Sequence, residues 1–303
     1  MIHFSAIVIG AVLATGVGVS QAGLDDGAGY RKQIDTWRQQ RVTRLTAPTG
    51  WLSLVGLDWL NDGVNRLGSA TDNSIVLSKA PAHLGAITLN NGNAAITLVA
   101  GADATIDGTK KTAAALLDDS HEKPTTIAFG SVSFYLVQRG GKFGLRIKDA
   151  DAETRTHFLG IDYFDVDPSW RIEARWEAYD PPREVEEPNI LGQMDKVVVP
   201  GAAVFERGGK TYRVEPVIET PGDKNLFLVF ADQTSGKETY GAARFVYTEP
   251  PRDGRVIIDF NKAYNPPCAF TPYATCLLPT KQNRLALRVT AGEKKYRAAA
   301  IER

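Results

Sequence analysis

The side chains with the most potential for chemistry lie in one short stretch near the carboxyl end of the chain. Residues 259–276, DFNKAYNPPCAFTPYATC, contain a carboxylate, two amides, two phenols and both cysteines of the protein. Asp259 and Asn261 are two positions apart at a strand end, so they point the same way. The prolines after Asn265 favour extended backbone. Such a rigid loop could hold a ligand, or its polar side chains could hydrogen-bond to their own turns.

The two cysteines of this stretch are Cys268 and Cys276. In an exported protein, a pair this close in sequence predicts a disulfide, which would stabilise the fold by about 2 to 3 kcal/mol. Two buried free thiols are the first alternative, and a metal ligand or a nucleophile is the second. Zinc requires more ligands than two cysteines. Because His83, His121 and His157 are not at ligand spacing, we predict no metal site.

The first residues predict export. Residues 1–23 contain no Asp, Glu, Lys or Arg, and an apolar stretch from Phe4 to Val19 is followed by Ser20, Gln21 and Ala22. This pattern is typical of a secretory signal peptide, here residues 1–22, and indicates a periplasmic or secreted protein. An uncleaved anchor is the alternative, although the stretch is shorter than the ~20 residues of a membrane span. We expect no stable membrane span after cleavage.

Charge and motifs exclude several classes of function. The chain has 35 basic and 35 acidic residues and a formal net charge of zero. Without a basic stripe, binding of nucleic acid is not expected. The sequence contains no G-x-S-x-G, H-E-x-x-H, P-loop, G-x-G-x-x-G or C-x-x-C motif. It therefore does not predict a serine hydrolase with a nucleophile elbow, a zincin or a nucleotide enzyme, and we expect no cofactor.

Hydrophobic periodicity predicts one helix followed by strands. Residues 30–45 place most of their apolar side chains near one stripe, which is typical of a short amphipathic helix. After Pro48 the period changes to two. Asn91-Gly92, Gly140-Gly141 and Gly208-Gly209 each separate two alternating runs, as in tight β-hairpins. The stretch WRIEARWEAY, residues 170–179, also alternates between apolar and charged positions.

These elements predict a mainly β fold. We expect an N-terminal helix, then a β-sandwich unit and then a second antiparallel β-barrel or sandwich unit. The predicted domains are residues 30–165 for the helix and first unit, and residues 166–303 for the second unit with the DFNxAYNPPC motif. The Pro-rich, acidic stretch YDPPREVEEPNILGQ, residues 179–193, is a candidate linker.

Part of the first half resembles a forkhead-associated domain. In GVNRLGSATDNSIVLSKAPAHLGAITL, residues 63–89, the run from Asn73 to Val76 fits a strand of that fold, and His83 stands near the expected place. Gly68 is followed by Ser69 where the family has Arg. The resemblance implies a β-sandwich of this shape without the arginine needed to bind phosphothreonine.

A second resemblance covers the chain from about residue 30 to 296. DQTSGKETYGAARF, DFNKAYNPPCAF, the C-x-L-P after Ala-Thr and NRLALRVTAGEKKY, in this order, are similar to the signature of the bacterial family DUF1684. RGGKFGLRIKD and HFLGIDYFDVDPSWRIEARW resemble its central part. The family implies no particular activity. The positions carried over by this resemblance are Arg146, Asp149, Arg171, Asp232, Tyr240, Arg244, Asp259, Asn261, Tyr264, Asn265, Cys268, Cys276, Asn283 and Glu293.

Some of these side chains could form an acid–base site. Asp259 and Asp232 are candidates for a general base, and Tyr264 and Tyr240 for a general acid. Arg244 could bind a carboxylate or phosphate through both arms of its guanidinium. The candidate ligand-binding residues are Arg244, Asn261, Asn265, Arg171 and Arg146. The competing interpretation is an internal network of ion pairs and hydrogen bonds beneath the loop.

Three functions are therefore open. The first is binding of a small polar or anionic ligand at this cluster of Arg, Asp, Asn and Tyr. The second is a cofactor-independent hydrolase or lyase that uses the same carboxylates and phenols with Arg244. The third is a structural module of the cell envelope. The three differ in whether Asp232, Arg244, Asp259 and Tyr264 meet at an open pocket.

Overall fold

The computed structural model describes residues 22–220 and 222–298. The predicted signal peptide lies outside these residues except for Ala22, where helix α1 (Ala22–Thr46) begins. Ile34 and Leu45 of α1 are fully buried, so the predicted amphipathic helix is confirmed over residues 30–45. Within the described ranges, no helix is both long and apolar enough to cross a membrane.

The first half of the chain folds into two five-stranded sheets. The strands are β1 (Leu54–Trp59), β2 (Gly63–Gly68), β3 (Ile75–Val76), β4 (Gly85–Asn90), β5 (Asn93–Leu98), β6 (Thr105–Ile106), β7 (Ala113–Leu116), β8 (Thr126–Phe129), β9 (Val132–Arg139) and β10 (Lys142–Asp149). One sheet has the order β1-β10-β9-β8-β6 and the other β3-β2-β4-β5-β7. Apolar side chains of both sheets form one shared core, with Leu67, Ile87 and Phe134 fully buried.

The predicted hairpins are confirmed. Asn91 and Gly92 connect β4 to β5 with φ angles of 49° and 77°, and Gly140 and Gly141 connect β9 to β10 with 52° and 75°. Positive φ at both central residues is the requirement of a type I′ turn, which matches the twist of the paired strands.

The second half is built on a long hairpin. It contains the short helix α2 (Glu153–Thr156) and strands β11 (Arg171–Pro188), β12 (Met194–Arg207), β13 (Lys210–Val214), β14 (Leu226–Phe230), β15 (Arg244–Thr248) and β16 (Arg255–Asp259). One sheet has the order β13-β12-β11-β16, and β14 pairs with β15. Residues 179–188, part of the candidate linker, continue β11 and pair with β12 from Arg183 on. The linker interpretation is therefore wrong.

Buried apolar and exposed charged side chains alternate along β11, so one face of the sheet packs against the core. Trp170 and Ala174 are buried, and Ile172 and Trp176 pack against the same core, whereas Arg171, Glu173 and Arg175 are exposed. A mainly β fold with an N-terminal helix is confirmed. The division near residue 165 and the forkhead-associated likeness stay predictions. A further core joins Leu54 of β1 to Val199, Val217 and Phe245 of the second half.

Candidate functional site

Asp232 and Arg244 form a closed ion pair inside the second half. Both side chains are fully buried, and Nη2 of Arg244 lies 3.3 Å from Oδ1 of Asp232. The guanidinium also donates to the carbonyl oxygens of Ala291 (2.5 Å) and Val289 (2.9 Å). The carboxylate accepts from Thr234 and from the Val289 amide at 2.7 Å. Burial lowers the pKa of Arg244, and neither side chain of the pair is exposed to solvent.

Asp259 and Asn261 contact each other, as their spacing predicts, and both hold helix α1. The hydroxyl of Tyr30 donates to Oδ1 of Asp259 at 2.7 Å and accepts from Nδ2 of Asn261 at 2.9 Å. Asn261 also binds both backbone groups of Asp167. Oδ2 of Asp259 is buried without a hydrogen bond and lies 3.6 Å from the Lys262 ammonium.

A buried ion pair connects Asn265 to helix α1. Nε of Arg41 lies 3.0 Å from the Glu293 carboxylate, and its Nη2 donates to the carbonyl oxygen of Asn265 at 2.8 Å. The other Glu293 oxygen accepts from the Asn265 amide at 2.7 Å. Arg41 is 7% and Glu293 0% exposed. Asn265 is therefore one of the residues that hold helix α1 in place.

The two candidate phenols have separate surroundings. The ring of Tyr264 lies 4.5 Å from the guanidinium carbon of Arg41 and stacks on Tyr247, and burial raises the pKa of Tyr264. The hydroxyl of Tyr240 donates to the carbonyl oxygen of Cys268 at 3.1 Å. Arg171 is exposed and stands opposite Asp259 across the β11–β16 pair.

The predicted disulfide is not formed. Cys268 and Cys276 are both free thiols, and the backbone amide of Cys268 donates to the sulfur of Cys276 at 3.2 Å. A hydrogen bond from Cys276 lowers the pKa of Cys268, and burial raises the pKa of Cys276. The short loop therefore keeps its shape through turns and packing, because Phe270 and Ala269 donate their amides to the residues three positions earlier. The described residues contain no group of three or more His, Cys, Asp or Glu side chains that could hold a metal.

A groove of about 600 Å³ lies beside the second part of the same loop. Its walls include four residues of β1, residues 76–79 from the end of β3 onward, the start of α2 and residues 270–273; the β1 residues are Leu54, Val55, Gly56 and Asp58. Strands β1 and β3 are edge strands of the two sheets of the first half, so the groove occupies an open side of that sandwich. Its size falls within the range of small-molecule sites, about 300 to 1,000 Å³.

Carboxylates outnumber cations in this groove. Asp58, Asp149, Asp151 and Glu153 line it, together with one cation, Lys79. The ammonium of Lys79 is already engaged, at 2.7 Å from Asp149 and 3.7 Å from Asp151.

Asp58 is the unusual carboxylate of the groove. Among the residues described by the structure it has no hydrogen-bond or ion-pair partner, and partial burial raises its pKa. Val55, Val76 and Tyr273 add exposed apolar surface, with 37%, 51% and 39% of each exposed. Sequence analysis missed Asp58, although a single acid within the apolar run Leu54–Trp59 is a usable signal.

Arg146 lies outside both the polar clusters of the second half and the lining of the groove. It lies on β10, where its guanidinium meets Trp51, Tyr135 and Thr275 at the contact between the two halves. The structure thus brings Asp259 and Asn261 together and Asp232 and Arg244 together, but not at one site.

The protein is thus β-rich and has a groove lined by residues of both of its halves. Residues 156–294 match the family model described as "Protein of unknown function (DUF1684)". The chain belongs to this family, which confirms the resemblance seen in its motifs.

The solved structures that match the chain include one with similar sequence. It is the solution NMR structure of an uncharacterized protein from Haloarcula marismortui, with 31% identity over 46% of this chain and 78% of that protein, and a TM-score of 0.40. No curated protein matches the chain.

Proposed function

We propose that the protein is exported and binds a small polar ligand with a positively charged group, such as a primary amine, in the groove beside β1. The observation that carries the proposal is the half-buried Asp58 carboxylate, which has no counterion among the described residues. A carboxylate that has lost part of its hydration is stabilised by a cation at close range. The excess of acidic groups around it disfavours an anionic ligand at this place.

The apolar part of the groove supports the same proposal. Val55, Val76 and Tyr273 offer surface on which the carbon skeleton of a ligand can pack. Small-molecule sites generally combine an apolar lining with a few polar groups that fix orientation. Because residues 270–273 belong to the second half and Asp58 to the first, a bound ligand would touch both.

The contacts of the other candidate residues favour binding over catalysis. Asp232 and Arg244 are sealed together, and Asp259 receives the Tyr30 hydroxyl. A general base must reach the proton of a substrate, and these carboxylates are held by internal partners. A structural role in the cell envelope is compatible with this internal network but gives no reason for an unpaired carboxylate in a groove.

Binding can be tested by calorimetric titration with a panel of small amines, using protein purified from the exported fraction. Its mass should correspond to a chain that starts at Gly23. We expect Asp58→Asn to weaken binding by about tenfold, because a charge-assisted hydrogen bond contributes about 1.5 to 3 kcal/mol. Asp62→Asn is the matched control, since it removes the same charge from an exposed position just after β1. Tyr273→Ala should also weaken binding.

Two results would contradict the proposal. One is that no amine of the panel binds to the native protein at millimolar concentration. The other is that Asp58→Asn and Asp62→Asn lower the affinity equally, which would indicate attraction by the overall charge rather than binding in the groove.

A further inference from the structure

Two cations lie side by side on the face of β10 that is turned away from the core of the first half. Leu145 and Ile147 point into that core. Arg146 and Lys148, on the opposite face, point toward the second half, because successive side chains of a strand alternate between its faces. Arg146 is only 4% exposed, and Lys148 is half-buried.

Two aromatic rings enclose these cations. The guanidinium carbon of Arg146 lies 5.1 Å from the ring centre of Trp51 and 5.9 Å from that of Tyr135. The ammonium nitrogen of Lys148 lies 5.7 and 5.5 Å from the same two rings. Contacts of this kind offset only part of the cost of placing two like charges together in a poorly hydrated place.

The surrounding charges do not neutralise the pair. Asp119 lies 3.6 Å from Arg146, but both of its oxygens accept hydrogen bonds from Arg139, at 3.0 and 2.6 Å. Arg139 and Arg146 therefore share the Asp119 carboxylate. Lys148 donates to the carbonyl oxygen of Thr49 at 2.5 Å and has no carboxylate partner among the residues that the structure describes.

The guanidinium of Arg146 is also incompletely hydrogen-bonded. Its Nη1 and Nη2 reach the hydroxyls of Tyr135 and Thr275 at 3.4 and 3.3 Å, which are long distances. Its Nε is buried and has no hydrogen-bond partner among the residues described by the structure. A buried donor without an acceptor destabilises the fold, so an acceptor that carries negative charge would satisfy the donor and offset the positive charge.

We propose that Arg146 and Lys148, together with the hydroxyls of Tyr135 and Thr275, bind a small oxyanion, the carboxylate, sulfate or phosphate group of a ligand. The arginine provides several donors in a fixed plane, which suits the geometry of such groups. The lysine provides a second charge at the more accessible side, and Trp51 and Tyr135 form apolar walls. This site is independent of the groove beside β1, which holds an excess of carboxylates.

Protonation of Lys148 gives the proposal a second readout. Burial, and next the charge of Arg146, lower the pKa of Lys148 to about 8. The other ionisable groups around the two cations are Tyr135 on β9, Asp119 with Arg139, and Cys276, whose pKa is lowered in part by Arg146 although burial raises it overall. Sulfate keeps its charge between about pH 7 and pH 9, so a change in its affinity over this range reports on the protein.

The experiment is a calorimetric titration of the full chain with sulfate, inorganic phosphate and acetate at constant ionic strength. We expect sulfate to bind and Lys148→Gln to weaken it by about tenfold. Lys142→Gln, an exposed position on the same strand and the same face, should bind as the native protein does. Raising the pH from about 7 to about 9 should weaken sulfate binding by about fivefold in the native protein and leave Lys148→Gln unchanged.

Arg146→Lys tests the other cation with a variant that keeps the charge. We expect it to fold, as judged by circular dichroism, and to lose affinity because a lysine lacks the planar set of donors. If none of the three anions binds at millimolar concentration, or if Lys148→Gln and Lys142→Gln bind sulfate equally well, the proposal is wrong.

Discussion

At the scale of single residues, the buried charged groups of this protein fall into two kinds. Asp232 and Arg244 form one ion pair, Arg41 and Glu293 form another, and each of these side chains also makes further hydrogen bonds. Glu187, in contrast, is 3% exposed and has a carboxylate, Glu215, as its charged neighbour. Burial removes the hydration of a charged group, and a partner of opposite charge compensates for part of this loss. A buried charge without such a partner lowers the stability of the fold.

Glu187 yields a prediction about stability and pH. Burial, and next the charge of Glu215, raise the pKa of Glu187 to about 7, above the value of about 4.3 in unfolded chains. The folded protein therefore binds a proton more tightly than the unfolded chain, and its stability falls as the pH rises between these two values. We expect Glu187→Gln to increase the free energy of unfolding by about 1 to 3 kcal/mol at about pH 8.

Urea unfolding at about pH 5 and pH 8 provides the measurement. The gain of Glu187→Gln should be much smaller at the lower pH, where the native carboxyl group is mostly protonated. Glu186→Gln, an exposed neighbour on the same strand, should have little effect at either pH. A loss of stability in Glu187→Gln at pH 8 would contradict the prediction, since it would mean that the ionised carboxylate makes a favourable contact.

The sequence predicts that polar side chains lie at the ends of apolar strands. It does not predict which residues form hydrogen bonds with them. Asp259 and Asn261 share a side because strand geometry fixes their direction. The sequence has no local signal that Tyr30, more than 200 positions away, supplies their shared partner. Similarly, Cys268 and Cys276 are close in sequence and in space, yet proximity alone does not determine whether two thiols are oxidised.

At the scale of elements, helix α1 is attached to the second half by three polar side chains on one side. Tyr30 binds Asp259 and Asn261, Arg38 donates to the carbonyl oxygen of Phe164 at 2.8 Å, and Arg41 pairs with Glu293. These three residues are spaced by eight and three positions, which places them along the same face of a helix. The helix is thus held by specific hydrogen bonds in addition to the burial of Ile34 and Leu45.

Removing the cation of the Arg41–Glu293 pair should release the helix. Arg41→Gln leaves a fully buried carboxylate without its counterion, and such a change costs about 3 to 5 kcal/mol. We expect a corresponding drop in the free energy of unfolding, and faster hydrogen exchange in the amides of residues 30–46.

Arg44→Gln is the control for this change. Arg44 lies one turn later in the same helix, and its side chain is exposed. The variant should leave both stability and exchange close to those of the native protein. Equal protection of α1 in Arg41→Gln and in the native protein would show that the ion pair does not hold the helix.

The elements themselves could be predicted better than their arrangement. Asn91-Gly92, Gly140-Gly141 and Gly208-Gly209 mark hairpins because the turn requires residues that tolerate positive φ. The stretch at residues 179–188 was misinterpreted because its prolines and acids are typical of linkers, and its pairing with β12 depends on the partner strand. Proline disfavours only the interior of a sheet and is tolerated where a strand is irregular, as between Ala178 and Arg183.

At the scale of the whole molecule, the two halves are connected by packing and by polar contacts. Leu54 of β1 belongs to a core formed mainly by the second half. Thr271 donates to the carbonyl oxygen of Leu54 at 3.0 Å, and Arg146 reaches Thr275. The amide of Gly140 also contacts Asp195 at the end of the long hairpin.

These connections predict that the halves unfold together. A shared core couples the stability of the two units, so neither should melt while the other stays folded. We expect differential scanning calorimetry to show one transition, with equal calorimetric and van't Hoff enthalpies. Two resolved transitions, or a van't Hoff enthalpy well below the calorimetric one, would contradict this expectation. A repeated scan of the same sample controls for irreversible loss.

The docking of helix α1 has a consequence for synthesis. The contacts of Tyr30 and Arg41 with Asp259, Asn265 and Glu293 span 224 to 252 positions of sequence. A ribosome makes a chain from the amino end, so helix α1 is synthesised early. Its contacts with Asp259, Asn265 and Glu293 form only after these residues have been added. Until then, Tyr30 and Arg41 lack the distant partners that attach the helix to the rest of the protein.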